Sequence, residues 1–161
     1  MKHKKFVSII KKHQNLIYKI CNSYCNSQNQ KDLEQEIIIQ LWNSFDKYDG
    51  RVKISTWIYK IALNTAISYY RKSLVEKKRL SSIDESLFSF SGYDFEMDQN
   101  VKLLYQFIEK LNYLDKAIIL LYLDNYKYQE ISEIIGISKT NVATKINRIK
   151  SKLKNQFENV K

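Results

Sequence analysis

Four polar residues recur along one stretch of this chain at the spacing of a helical ridge. Lys60, Asn64, Ser68 and Arg71 fall at i, i+4, i+8 and i+11 within RVKISTWIYKIALNTAISYYRK, residues 51–72, and a period of 3.6 residues brings them into line. Two cations, an amide and a hydroxyl make this a narrow, basic, amide-bearing edge. No carboxylate occurs between Arg51 and Lys72, although the solvated face of a structural helix normally mixes both signs. The asymmetry points to an anionic partner. The plainer alternative is a buried helix with an incidental wet strip, its flanks being apolar: Trp57, Ile58, Ile61, Ala62, Thr65 and Tyr69 on one, Tyr59, Leu63, Ala66 and Tyr70 on the other.

A second set lies near the C-terminal end. Thr140, Asn141, Thr144, Lys145 and Arg148 stand opposite an apolar stripe of Val142, Ile146, Ile149 and Leu153. The segment before them reads as a short helix over 128–135 with Ile131, Ile134 and Ile135 inward. Gly136-Ile137-Ser138 is then a tight turn leading to a longer helix over 139–153. Helix, glycine turn, helix is the pattern that places a second helix in the major groove, with Gly136 giving the turn its freedom and Ser138 capping the second helix. Asn and Arg near the start of such a helix can read adenine and guanine, and Lys and Thr hold phosphates. A helical hairpin with a hydrophilic back would look the same.

A third set sits between them and the N-terminus. DLEQEIIIQLWNSF, residues 32–45, buries Leu33, Ile37, Leu41 and Phe45 along one stripe and leaves Ile38 and Trp42 unexplained, with Asp32, Gln35 and Glu36 beside them. An apolar pair rimmed by acid and amide suits a protein interface; Trp42 capping the core is the competing reading. Asp32 with Gln35 is also a plausible capping box.

Catalytic chemistry finds little support. The twelve tyrosines raise the thought of a DNA-cleaving recombinase, but that chemistry needs clustered Arg and His, and the chain has only His3, His13 and four arginines, with no His-x-x-Arg. No phosphate loop, metalloprotease helix or nucleophile elbow appears. Cys21 and Cys25 share a helix face, match no zinc-finger spacing and are expected as reduced thiols. No cofactor, metal or small-molecule substrate is therefore expected.

The elements that must position these sets are all helical. Pro is absent, Gly numbers 3, and apolar residues recur at three and four rather than two. The 161 residues carry 27 Lys and Arg against 17 Asp and Glu, a net charge of +10, which fits a polyanion partner. Leu80 to Asn100 interrupts this with Asp84, Glu85, Asp94, Glu96 and Asp98 and no Lys or Arg. The expected organisation is all-α: two small helical domains, 1–79 and 101–161, joined by a flexible acidic linker over 80–100, the C-terminal one a helix-turn-helix. A first helix is expected over 5–24 with Phe6, Ile10, Ile17, Ile20 and Tyr24 inward. Further helices are expected after Asn100 and after Asp115. The apolar run within MKHKKFVSII is cut by Lys11 and Lys12, and the run 117–123 is too short to span a bilayer, so a cytoplasmic protein is expected.

Taken together, these residues resemble bacterial RNA polymerase sigma factors of the small, two-domain extracytoplasmic-function group, over nearly the whole chain. Asp32-Leu33-Glu34-Gln35-Glu36 is similar to the family's Asp-Leu-x-Gln-Glu signature, and Leu41-Trp42 sits where its second-region helix meets the polymerase. The resemblance implies that Asp32, Gln35, Glu36, Ile38 and Trp42 contact core RNA polymerase. Ser55-Thr56-Trp57-Ile58-Tyr59-Lys60-Ile61-Ala62 followed by Asn64 looks like the segment that opens the minus-ten element. Lys53, Trp57, Lys60, Asn64, Ser68 and Arg71 would then face minus-ten DNA, with the loop 47–54 beside an extruded base. Tyr128-Gln129-Glu130-Ile131 through Ser138 resembles the fourth-region helix-turn-helix, which implies that Ser138, Lys139, Thr140, Asn141, Thr144, Lys145 and Arg148 read the minus-thirty-five element. The family linker runs towards the RNA exit path, which the acids of 80–100 would suit. Implied partners are core RNA polymerase and promoter DNA, with room for an anti-sigma factor. Leu111-Asn112 departs from the Leu-Pro of many members. The reading that competes is a repressor or activator binding duplex DNA without polymerase.

Overall fold

The computed structural model describes residues 1–80 and 98–160, and of residues 77–80 the backbone alone. The chain divides into two compact units, Met1–Gly92 and Tyr93–Lys161. Among the described residues all regular structure is helical, as the three-and-four spacing of apolar residues requires. The acidic stretch expected as a linker lies outside the described residues except at its edges.

In the N-terminal unit, α1 (Lys2–Lys12), α2 (Gln14–Tyr24), α3 (Gln30–Ser44) and α4 (Ile54–Leu80) surround one core, with a 3-10 turn at Phe45–Lys47. Leu33, Ile37 and Leu41 of α3 meet Ile58, Tyr59, Ala62, Leu63 and Ala66 of α4, and Ile17, Ile20, Cys21 and Tyr24 of α2 close the third side; all are buried. The two apolar flanks read from α4 thus merge into one buried seam, and Trp57, Ile61, Thr65, Tyr69 and Tyr70 are only half-covered.

Three boundaries differ from expectation here. The single helix expected over 5–24 breaks at His13 (φ −109°, ψ 17°), whose N–H is shared between the Ile9 and Ile10 carbonyls at 3.1 Å each. An unbroken helix over α1 and α2 would run ~34 Å and overshoot α3 at ~22 Å; the break keeps both ends on the core. The helix expected from Asp32 starts at Gln30 after Asn29, which makes no side-chain cap, because an Asn29 N–H to Asn26 Oδ1 turn (3.1 Å) starts it early. Asp32 therefore sits exposed in the first turn, where its charge suits the helix dipole. The ridge helix also continues past Lys72 to Leu80.

In the C-terminal unit, α5 (Gln99–Glu109), α6 (Tyr113–Leu123), α7 (Tyr128–Ile135) and α8 (Lys139–Val160) pack around α6. Ala117, Ile118, Ile119, Leu120 and Leu121 are all buried in succession, which a helix tolerates only when neighbours cover it all round. Two caps differ from the sequence reading. Asp98, not Asn100, caps α5 by accepting the Asn100 N–H at 3.1 Å. Helix α6 starts well before the point expected after Asp115, at Tyr113. Its cap is Asn112, whose Oδ1 accepts the Asp115 N–H at 2.8 Å while its Nδ2 donates to Asp115 Oδ2 at 3.0 Å. Where a proline would only have preset the backbone, Asn112 satisfies the helix terminus directly.

Candidate nucleic-acid and polymerase interfaces

Helix α4 presents its ridge as the spacing requires: Lys60, Asn64, Ser68 and Arg71 are all exposed. What the spacing could not supply is the other wall. Asn64 and Ser68, with Thr65, Tyr69 and Lys72, line a groove of about 530 Å³ closed on its far side by Glu36 and Gln40 of α3. Glu36 Oε1 accepts from Gln40 Nε2 at 3.0 Å, so these two side chains are held together. The groove offers a carboxylate, two amides, two aliphatic hydroxyls, a phenol ring and a cation, a set able to hydrogen-bond a base edge and hold its phosphate. Gln40, Thr65 and Tyr69 were missed from the sequence as groove residues. Glu36, expected on the polymerase side, also lines this groove.

Trp57 belongs to a chain of aromatic rings at the start of α4. Its ring meets Tyr48 at 5.2 Å and Phe45 at 6.3 Å; Phe45 meets Phe6 at 5.3 Å, and Phe6 meets Trp42 edge-on at 5.0 Å. The loop over this cluster is ordered locally. Tyr48 Oη donates to the Val52 carbonyl at 2.6 Å, Asp49 Oδ1 accepts the Arg51 N–H at 3.0 Å, and Gly50 takes φ +77°. Lys53 is exposed at its end. Half-buried Trp57 and Tyr48 thus border an exposed basic loop, the composition on which an unstacked base rests.

On α3, Asp32 and Gln35 are exposed and Ile38 and Trp42 half-buried. Trp42 carries internal partners as well as an outward edge: beside Phe6, the His3 ring lies 6.0 Å away and Lys2 Nζ 4.7 Å from the indole centroid. Trp42 therefore packs on α1 while part of its ring stays uncovered. The apolar residue standing freest on this face is Ile39, 50% exposed, at i+4 from Gln35 and i+7 from Asp32. It was hidden from the sequence inside the run Ile37-Ile38-Ile39, where periodicity gives no reason to pick the third member.

In the C-terminal unit the turn forms as read. Gly136 takes φ +83° and ends α7, and Ser138 Oγ accepts the Asn141 N–H at 3.1 Å. Ser132 Oγ bonds the Ile137 carbonyl at 2.5 Å, tying the turn to α7. Val142, Ile146, Ile149 and Leu153 are buried, and Ser138, Lys139, Thr140, Asn141, Thr144 and Arg148 are exposed on α8 and its approach. Two residues are less free than their exposure suggests. Thr144 Oγ1 bonds the Thr140 carbonyl at 3.1 Å. Lys145 Nζ lies 3.6 Å from Asp115 Oδ1, which is 15% exposed, so its charge is partly committed within the protein. A groove of about 680 Å³ continues beyond Arg148 along Asn147, Ser151, Lys152 and Asn155; the three-and-four spacing that marks Thr144 and Arg148 also reaches Ser151 and Asn155.

Behind these faces, Lys116 of α6 is buried. Desolvation lowers its pKa to about 8, opposed by the Glu109 carboxylate; burial raises the Glu109 carboxyl in turn, opposed by Lys116. Cys21 and Cys25 are free thiols, and burial pushes the Cys21 thiol up to about 12, which leaves it inert as a nucleophile. Among the described residues no His, Cys, Asp and Glu group could hold a metal ion, and no helix is long and apolar enough to cross a membrane.

Comparison with known proteins agrees with this geometry. Residues 9–74 match the model of sigma-70 region 2, and residues 102–153 that of sigma-70 region 4. The RNA polymerase sigma factor YlaC of Bacillus subtilis is 30% identical over 133 residues, covering 79% of this chain and 76% of the relative. The RNA polymerase sigma factor SigV of the same organism is 29% identical over 144 residues, covering 88% and 84%. The ECF sigma-E factor of Escherichia coli is 26% identical over 171 residues, covering 96% and 87%. Among solved structures, the sigma factor RpoE of Bartonella quintana, crystallised with the anti-sigma factor NepR, shares the fold with a TM-score of 0.81 at 16% identity, covering 96% of this chain and 98% of that one.

Proposed function

This chain belongs to the extracytoplasmic-function sigma factors, and from that premise we propose that it binds core RNA polymerase, directs it to specific promoters and helps open the minus-ten element. It acts in the cytoplasm as a non-enzymatic specificity subunit. The N-terminal unit, residues 1–79, grips the polymerase and the separated strand; residues 101–161 read the intact duplex at minus-thirty-five. The observation that carries this reading is that the N-terminal unit holds an interface-like apolar face and a base-sized polar groove, neither of which a duplex-only repressor would need.

Asp32, Gln35, Ile38 and Trp42, with Ile39 among them, make the polymerase face; Glu36 stands where that face meets the groove. Lys53, Trp57, Lys60, Asn64, Ser68 and Arg71 take the minus-ten strand: the cations hold phosphates, Trp57 offers a stacking surface, and Asn64 and Ser68 hydrogen-bond the extruded base. Thr140, Asn141 and Arg148 face base edges, and Ser138, Lys139, Thr144 and Lys145 hold the backbone or the turn. An anti-sigma factor, the partner with which the Bartonella relative was crystallised, is the expected regulator.

Reconstitution with core polymerase on a promoter library tests this. The holoenzyme should yield run-off RNA and permanganate-reactive thymines at minus-ten. Ile39→Asp should weaken core binding about tenfold or more, the loss of one interface anchor, with duplex affinity unchanged. Binding to duplex DNA without association with core polymerase would transfer the protein to the repressor or activator class.

A further inference from the structure

Helix α1 contributes one buried residue, Phe6, to the core, and its remaining length serves an outer face of unusual composition. Lys4, Lys5, Lys11 and Lys12 are exposed along one side, with Ser8 between the two pairs. The helix contains no carboxylate. Only Lys2 is neutralised, through Asp46 at 2.5 Å; the other four lysines have no carboxylate within ion-pair distance among the described residues. His3, Lys4, Val7, Ser8 and Lys11 border a shallow groove of about 520 Å³ along this face. A solubilising surface would intersperse Glu at i+4 to relieve repulsion between such cations. Four uncompensated lysines on a helix held in place are instead matched to a polyanion.

Where α1 is held decides which polyanion. Its first turn is fastened to the 3-10 turn by the Lys2–Asp46 pair and by Phe6 against Phe45, and Phe45 in turn touches Trp57. The first turn of α1 is therefore joined to the 3-10 turn and the aromatic cluster at the head of α4, with the lysine face on the side of α1 away from Phe6. The two lysine pairs are seven residues apart, ~10 Å along the axis, a length over which one strand of duplex places about three phosphates.

We propose that α1 is a second DNA-contacting element, in which Lys4, Lys5, Lys11 and Lys12 hold the sugar–phosphate backbone of the promoter strand adjoining the minus-ten element, without reading its sequence. This rests on the assignment of the loop and α4 to minus-ten DNA. The same charge could attract an anionic lipid surface, but the tie of α1 to the aromatic cluster at the head of α4 favours DNA.

The test uses holoenzyme reconstituted with the full chain, either wild type or carrying Lys4→Gln, Lys5→Gln, Lys11→Gln and Lys12→Gln together. The slope of log affinity against log salt on promoter DNA should become shallower by about 3 in the variant, since each phosphate contact contributes roughly 0.7 to 0.9. Base preferences at minus-ten and minus-thirty-five should be unchanged, and the fourfold Lys→Arg variant should regain the wild-type slope. Templates truncated on either side of minus-ten should show on which side the difference disappears. An unchanged slope overturns the inference while leaving the sigma-factor reading intact if both proteins still open the promoter. It is equally overturned if the Gln variant loses binding only to phosphatidylserine–phosphatidylcholine vesicles. Should the wild-type holoenzyme open no promoter, the parent reading fails and takes this one with it.

Discussion

On the proposed function, the two units present polar groups to DNA in different ways. In the C-terminal unit one helix does it: α8 buries Val142, Ile146, Ile149 and Leu153 and turns Thr140, Asn141, Thr144 and Arg148 outward, so the reading face is one arc of one element. In the N-terminal unit the face is assembled. Asn64 and Ser68 of α4 gain their second wall from Glu36 and Gln40 of α3, and Trp57 gains its platform from Tyr48 and Phe45. A face carried on one helix survives small shifts of its neighbours. One built across helices depends on how they pack, and so is more exposed to changes in the core beneath it.

The largest expected effect follows from that dependence. Trp42→Ala removes a ring packed on Phe6, His3 and Lys2 and should destabilise the N-terminal unit by about 2 to 3 kcal/mol, below the full cost of truncating a wholly buried aromatic. Core binding should fall with it, while affinity for a minus-thirty-five duplex stays within twofold. Denaturant titration together with fluorescence anisotropy on duplex DNA would show both. A matching loss of duplex affinity would mean that the two faces are not separable.

Arg148→Ala acts inside one face and should leave stability alone. It should lower minus-thirty-five binding by about 1 to 3 kcal/mol if the guanidinium pairs with a guanine. Lys145→Ala should cost less, because that ammonium already shares its charge with Asp115 at 3.6 Å. Affinity measured on single-base operator variants sharpens the contrast: only the Arg148 change should relax preference at one position.

The smallest effect is a pH dependence confined to the C-terminal unit. Burial holds the Lys116 pKa at about 8, below the ordinary lysine value of 10.5. Between these values the unfolded chain binds more protons than the folded one, so stability rises with pH across this window and the charged form is disfavoured below it. Urea midpoints taken at pH 7.5 and 9.5 should shift upward for wild type relative to Lys116→Met, which lacks the titration; parallel behaviour of the two proteins would rule this out.

Much of the C-terminal face was legible in the chain because its determinants are local. A glycine with positive φ at 136, a capping Ser138 and an apolar stripe at i, i+4, i+7 and i+11 specify turn, helix start and buried side with no reference to distant residues. The ridge Lys60, Asn64, Ser68 and Arg71 was legible for the same reason. Hidden from it were the break at His13, which answers to the length of the neighbouring helices, and the exposure of Ile39 within three successive isoleucines. The lysines of α1 were visible as charge, but the seating of α1 against the 3-10 turn appears only through the Lys2–Asp46 and Phe6–Phe45 contacts.

By itself, then, the amino-acid sequence determined the all-helical class, the two basic helical segments and the outward polar arcs of α4 and α8, because periodicity and caps act over one or two turns. Only the tertiary structure decided that Glu36 and Gln40 stand opposite Asn64 and Ser68, that Trp42 is held by α1, and that Lys145 is tied to α6. Those pairings join residues tens of positions apart, and their partners are selected by how the buried faces pack, which no spacing along the chain encodes.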